Sequence, residues 1–326
     1  MKSRYLILIL FVFSLVLSAC SDSSERTNEA IAKVQDNRFS VGVLLPDVGL
    51  GDQSFNDLAV NGLLKARDEL DIIWSYRDLT MVNTMEEGLE QLIEEDHDII
   101  IGVGYSVQEA LEAYAPKYPK QQFVIVDSVS DIENIDGITF KEDEGSYLAG
   151  AIAAMASKSN VIGFVGGMED PIIQKFLDGY EQGAKSVNSS IEVLVQYANT
   201  YSDDKVGAQI ASNMIDQGAD VLYAAAGYTG VGLLQEAQKQ SVYAIGVDSD
   251  QYFYAERAVI TSMMKNVDVA VYEYIETYMN STSNENLLLE FGIAEDGVKL
   301  APIRVLSNSV QLEEALTKIN VNLSQN

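Results

Sequence analysis

One imidazole and one thiol serve all 326 residues, so nucleophilic machinery that needs a histidine base has almost nothing to work with. The histidine, His97, lies in the run EEDHDII ahead of an apolar segment and reads as a solvated loop residue. The cysteine, Cys20, has no second thiol for a disulfide. No HExxH, CxxC or EF-hand spacing occurs, and neither a metal nor a cofactor is expected. Carboxylates are the chemistry left. Asp47, Asp127 and Asp248 each close a short apolar run, with Ser128 and Ser249 after the last two, while glycines at 102, 104, 166, 167 and 227 end the others. A carboxylate so placed accepts charge-assisted hydrogen bonds. With an aromatic loop residue and a lysine, the three acids make a polar ring with a stacking surface. That is equipment for holding a small polar ligand. Hydrolysis by paired carboxylates stays open.

The elements that must position these residues alternate. Apolar runs at 41–47, 72–78, 99–104 and 123–128 read as strands, and between them FNDLAVNGLLKARDEL, MEEGLEQLIEED and SVQEALEAYAPKY repeat apolar residues at three and four, as helices do. After GITFKEDEG the rhythm restarts with SYLAGAIAAMAS. Strands follow at 161–167, in IEVLVQYA, at 221–227 and at 243–249, each joined by a helical segment. Two parallel, doubly wound lobes follow from this pattern. Ligands of such sheets sit beyond the carboxyl ends of the strands, where the acids and glycines are. AVITSMMK (258–265), a helix from Val267 to about Met279, and a closing stretch with FGIAEDGVKLAP cross back between the lobes.

The amino terminus carries an address. Lys2 and Arg4 precede an apolar run from Tyr5 to Val16, then Leu17, Ser18, Ala19 and Cys20 lead into a polar segment. The run is shorter than the roughly 20 residues of a spanning helix and reads as a signal peptide. LSAC resembles the bacterial lipoprotein box, which implies cleavage before Cys20 and a lipid on its sulfur, a diacylglyceryl with palmitate-type acyl chains. The protein would then sit at the outer face of a cell membrane. The formal charge is -28, from 49 acidic and 21 basic residues, and loss of the two signal-peptide bases takes it to -30. No basic cluster exists to grip phosphates, so nucleic acid is not an expected partner.

The ordered segments VGVLLPD, GDQSFNDLAVNG, GVGYSVQEAL, FVIVDS, ITFKEDEGSYLAGAIAAM, VIGFVGGMEDPIIQKFLDGYEQGAK, AAAGYTGVG, YAIGVDSDQ, ITSMMKNVDVAVYE and FGIAEDGVKLAP resemble the basic membrane protein lipoproteins, which include purine nucleoside receptors of ABC transporters. The resemblance implies an α/β type I periplasmic-binding fold, two lobes joined by three crossovers and closing on a ligand. The expected boundaries are a signal peptide at 1–19, a tether at 20–38, a first lobe from 39–142 and 262–284, a second from 143–261 and 285–312, and a tail at 313–326.

Carried over by position, the resemblance makes Asp47 an acceptor for a ligand hydroxyl or base edge. Phe55 and Asn56, in the SFN match, would cover one face of a base and bond its edge, and Phe176 would cover the opposite face. Asp127 and Asp248 would bind sugar hydroxyls, Lys265 would touch the ligand and balance the acids, and Gly227 would let the backbone approach closely. Structural alternatives stand beside each role: a turn or capping Asp47, a Phe55 or Phe176 that only packs, a surface Lys265 paired with Asp268, a simple turn at Gly227. Gly51 with Asp52, where relatives often carry two acids, and Tyr228, where small residues are common, depart from the family pattern.

The function implied is capture of a nucleoside, with a purine base, and its delivery to an ABC permease and its ATPase by a monomer anchored through lipid, with no bond chemistry. A regulatory or sensing surface lipoprotein, like relatives that act on genetic competence, is the alternative.

Overall fold

The computed structural model describes residues 37–46, 49–281, 286–307 and 309–323. The signal peptide, Cys20, nearly all of the tether and Asp47 lie outside the described residues. Residues 39–326 form one compact unit, and its sequence pattern becomes two sheets.

The first sheet takes β1 (Ser40–Leu44), β2 (Ile73–Arg77), β3 (Ile99–Val103), β4 (Gln122–Val126) and β5 (Ile135–Phe140). Helices α1 (Phe55–Leu70), α2 (Met85–Glu94) and α3 (Gln108–Tyr114) connect the first four. The spatial order is β11-β5-β4-β3-β1-β2, where β11 is Leu288–Phe291, and every pairing is parallel. Helices cover both faces of such a sheet, which is why β3 reads as the unbroken apolar run IIIGV and is buried throughout.

The second lobe repeats the plan. It contains α4 (Glu142–Ala156), β6 (Val161–Gly166), α5 (Pro171–Val187), β7 (Glu192–Tyr197), α6 (Asp204–Asp216), β8 (Val221–Ala225), α7 (Gly227–Gln240), β9 (Tyr243–Asp248) and β10 (Val259–Lys265). Its order is β12-β10-β9-β8-β6-β7, with β12 (Val298–Leu300) as an antiparallel edge. In both sheets the order of strand addition therefore reverses at the same place, between β1 and β3 and between β6 and β8. That crevice is where doubly wound sheets hold ligands. The arrangement is the type I periplasmic-binding architecture that the resemblance implies.

Backbone contact between helices fixes the packing. An added Cβ at Gly150 would overlap the Tyr180 carbonyl oxygen, and one at Gly183 the Tyr147 carbonyl oxygen, so α4 and α5 cross with their backbones touching. Capping sets the helix starts: Asp170 accepts from Ile172 N and Ile173 N, both at 2.9 Å, ahead of Pro171, and Asp203 accepts from Lys205 N and Val206 N.

The chain crosses between the lobes at Lys141, at Asn266, and between Phe291 and Val298, not at 262 and 285. The apolar run 259–265 pairs in parallel with β9 and so belongs entirely to the second sheet. Leu288–Phe291 pairs with β5 and extends the first. Helix α8 (Val267–Asn280) packs on α1 in the first lobe. Residues 309–323, expected in part as a tail, form α9, which packs on α4 and buries Leu312 and Leu316. The crossovers run side by side: Lys141 N donates to Phe291 O at 3.0 Å and Asn266 N to Gly297 O at 2.8 Å.

His97 is not a solvated loop residue. Its side chain is 8% exposed and lies over Gly42 of β1, where a Cβ would meet its ring at 2.8 Å, and its Nε2 contacts Ser75 Oγ at 2.9 Å and Glu95 Oε2 at 3.0 Å. The missing side chain at position 42 makes the seat.

Candidate functional site

A cavity of about 590 Å³ opens where the two switch points face each other. The first lobe contributes Pro46 and Asp52 from the loop after β1, Phe55 and Asn56 from the start of α1, Gly104 to Ser106 after β3 and Asp127 after β4. Met168 to Asp170, Phe176, Tyr201, Ala226, Gly227, Asp248 and Lys265 come from the second. Seven of the eight expected ligand residues thus meet in one space: Phe55, Asn56, Asp127, Phe176, Gly227, Asp248 and Lys265. Asp47, the eighth, falls outside the described residues.

The loop after β1 is built around an acid. Asp52, buried, accepts from the backbone amides of Ser54 (3.0 Å), Asn56 (2.8 Å) and Asp57 (3.1 Å), taking up the free N–H groups at the start of α1. Burial, against those three bonds, raises its carboxyl to about 6. Asp57 in turn accepts from Gly51 N and Gln53 N. Phe55 and Asn56 are presented by this scaffold. Asn56 Nδ2 donates to Gly49 O at 2.9 Å, and its buried Oδ1 has no hydrogen-bond partner.

Asp127 and Asp248 occupy equivalent places, at the ends of the fourth strand of each lobe. Both have left-handed backbones, with φ of 67° and 63°, a conformation that non-glycine residues adopt at a cost and that clusters at functional sites. Their partners differ. Asp127 Oδ2 accepts from Lys265 Nζ at 2.6 Å, while its buried Oδ1 has no partner. Asp248 Oδ2 accepts from Ser54 Oγ, which reaches it from the opposite lobe. Burial first, then the nearby Glu142, push both carboxyls above the ordinary range, and the Lys265 ammonium pulls the other way.

Lys265 is a buried cation, not a surface lysine paired with Asp268. It ends β10, lies 2.9 Å from Glu142 Oε1, and sits over the rings of Phe140 (4.8 Å), Phe55 (5.0 Å) and Phe176 (5.6 Å). Burial alone would favour its neutral form. Asp127, Glu142 and Asp248 outweigh that and hold it protonated. Phe176 is 3% exposed, and much of its ring packs in the core while also lining the cavity.

Sequence reasoning gave no role to five residues of the site. Asp52 and Ser54 stand before a helical run, a helix-start signal that capping rules would have flagged. Glu142 opens α4, separated from the end of β5 by Lys141 alone, and is wholly buried. Tyr201, in the loop after β7, lies against Gly167, where a Cβ would overlap its ring, and its hydroxyl donates to Asp170 Oδ2 at 3.2 Å. Thr229 of α7 ties that loop down: Thr229 N donates to Tyr201 O at 3.1 Å, and Thr229 Oγ1 accepts from Asp203 N at 3.0 Å. Gly227 has φ of 53° and comes close to Tyr201 O, so the position requires glycine's freedom. The departure at Gly51 is a left-handed turn (φ 92°), which suits glycine better than an acid.

Four aromatic side chains, Phe55, Tyr105, Phe176 and Tyr201, two unpaired buried acceptors and an excess of carboxylates over ammonium suit a neutral ligand with an aromatic face and several hydrogen-bond donors. Residues 39–325 match the family model for Bmp, described as PnrA-like ABC transporter substrate-binding proteins. A CD4+ T-cell-stimulating antigen of Listeria monocytogenes is 32% identical, over 92% of this chain and 91% of that protein. An ABC transporter nucleoside-binding protein, BmpA, of Lactococcus lactis is 32% identical over 84% of each. The crystal structure of an ABC transporter solute-binding protein from Aeropyrum pernix superimposes with a TM-score of 0.75 at 31% identity, covering 81% of this chain and 76% of that one.

Proposed function

The chain belongs to the Bmp family of PnrA-like ABC transporter substrate-binding proteins, and from that premise we propose that it captures a nucleoside, with a purine base, between its lobes. The observation that carries this reading is the interlobe cavity of about 590 Å³, within the range of small-molecule sites, which holds two buried acceptors without partners, Asn56 Oδ1 and Asp127 Oδ1. A buried acceptor left unpaired is costly, and a ligand donor removes the cost. Phe55 from one lobe and Tyr201 from the other supply ring faces for the base, at about 1 to 3 kcal/mol per stacked base. Asp127 and Asp248 take ribose hydroxyls from opposite sides. Closure follows because only the closed form satisfies both sets.

The captured nucleoside passes to an ABC permease and its ATPase. Cys20 carries the lipid that holds the protein at the extracytoplasmic face of the membrane, where it acts as a monomer. No bond of the ligand is broken. Isothermal titration of refolded, ligand-free protein with inosine, guanosine and adenosine tests the reading, and heat of binding from at least one is the expected result. No heat from any of them overturns it, and chromatography detecting free base would replace it with a hydrolase.

A further inference from the structure

Glu142 has no part in the ligand contacts above, yet it is wholly buried and stands where a hinge residue would. It is the first residue of α4, directly after the crossover at Lys141. Its Oε1 is 2.9 Å from Lys265 Nζ and its Oε2 is 3.5 Å from Lys175 Nζ, while neither oxygen accepts a well-aligned hydrogen bond. Lys265 is the last residue of β10, directly before the crossover at Asn266. The two charges therefore flank two of the three hinge strands and travel together with the second lobe. Asp127, the other partner of Lys265, belongs to the first.

We propose that Glu142 is a positioning residue that holds the Lys265 ammonium within the second lobe when the lobes part, so that the Lys265–Asp127 ion pair acts as a closing contact of tuned strength. The proposal rests on the reading that the lobes open and close around a ligand. When Asp127 moves away with its lobe, Lys265 would otherwise be left as a partly buried charge with no carboxylate in direct contact, a costly state. Glu142 provides that partner, and the amino end of α4 tolerates its negative charge. In the closed form the ammonium is shared by two carboxylates, so the pull of Asp127 is weaker than it would be for a lysine with no other partner. The open and closed forms are thereby kept close in free energy, which leaves the decision to the ligand.

Glu142→Gln keeps the shape and removes the competing charge. Ligand-free protein should then shift toward the closed form, by about tenfold in the closed-to-open ratio. Energy transfer between dyes attached at Lys117→Cys and Lys185→Cys, in the full chain carrying Cys20→Ser, reads that ratio directly. Asp127→Asn should shift it the other way, and adding Glu142→Gln to Asp127→Asn should change nothing further. An unchanged ratio in Glu142→Gln, or a shift that persists in the double variant, overturns the proposal. If Glu142→Gln does not fold, Glu142→Asp, whose carboxylate is withdrawn from Lys265 by one methylene, should move the ratio in the same direction by less, and no movement there is equally fatal. Because these measurements need no ligand, they stand apart from the nucleoside titration. Absence of binding by the wild type would reject the nucleoside while leaving the hinge result intact.

Discussion

Replacing Asp248 by alanine removes two bonds at once, and their sizes can be separated. The side chain is buried at the end of β9, with Oδ2 bonded to Ser54 Oγ of the opposite lobe; on the proposed reading one oxygen serves closure and the other takes a ligand hydroxyl. A hydrogen bond to a charged group contributes about 1.5 to 3 kcal/mol. Losing both should weaken nucleoside binding by about 3 to 6 kcal/mol, or on the order of 10² to 10⁴ in Kd. Ser54→Ala removes only the closing bond and should cost about half as much. The double variant should then bind no more weakly than Asp248→Ala alone, because Ser54 has nothing left to hold. Titration calorimetry on the four proteins gives the cycle. Burial already disfavours the ionised Asp248, so the variant's thermal midpoint should not fall. Strictly additive losses, or an Asp248→Ala protein that binds within threefold of wild type, would refute the cross-cleft arrangement.

Asp52 gives a pH dependence with a definite sign. Its carboxyl titrates near 6 in the folded protein against 3.8, so the native state keeps the proton to higher pH than the unfolded chain. The resulting stabilisation is complete below about 3.8 and lost as pH rises through 6, roughly 3 kcal/mol in all at about 1.4 kcal/mol per unit. Asp52→Asn should flatten that part of the profile. Melting both proteins at pH 5 and pH 8 checks this, and an equal difference between them at the two values would contradict it. Gly150→Ala, forced against the Tyr180 carbonyl, should lower the urea midpoint by an amount equivalent to about 1 to 3 kcal/mol or more; an unchanged midpoint would mean that α4 and α5 separate freely. A nucleoside 5′-monophosphate should bind about 100-fold more weakly than its nucleoside, since a phosphate about 6 Å from one uncompensated carboxylate costs about 2 to 3 kcal/mol at an effective dielectric near 20. Equal affinity would show that the acids do not face the ligand.

The repeated rhythm of apolar runs and helical segments was enough to read two doubly wound lobes, because buried parallel strands advertise themselves as unbroken runs such as IIIGV and FVIV. Helix α1 was legible to the residue. The short edge strands were not: Leu288–Phe291 and Val298–Leu300 are three or four residues long and partly exposed, and only pairing with a distant strand makes them strands. The same gap displaced the lobe boundaries, since a crossover is defined by which sheet captures the next segment. Site positions at strand ends were legible as a set. Tyr201 was not, because nothing local separates it from an ordinary loop tyrosine until Gly167 and Thr229 are brought against it.

The two lobes share a plan but not an electrostatic environment, and that difference gives the site a direction. Asp127 and Asp248 have the same backbone conformation at equivalent strand ends, as duplicated architecture requires. Lys265, however, comes to Asp127 from 138 residues away because it ends β10 at the second crossover, and Ser54 comes to Asp248 because α1 of the other lobe begins opposite it. One acid is paired with a cation and the other with a neutral hydroxyl. Asp127 thus has a direct ion pair and Asp248 a neutral partner, and on the proposed nucleoside reading a ligand with unequal donors at its two ends would be held better one way round than the other. A symmetric pair of acids would admit both orientations. The asymmetry arises only when the lobes are assembled, so acids that look interchangeable in the sequence take different tasks in the fold.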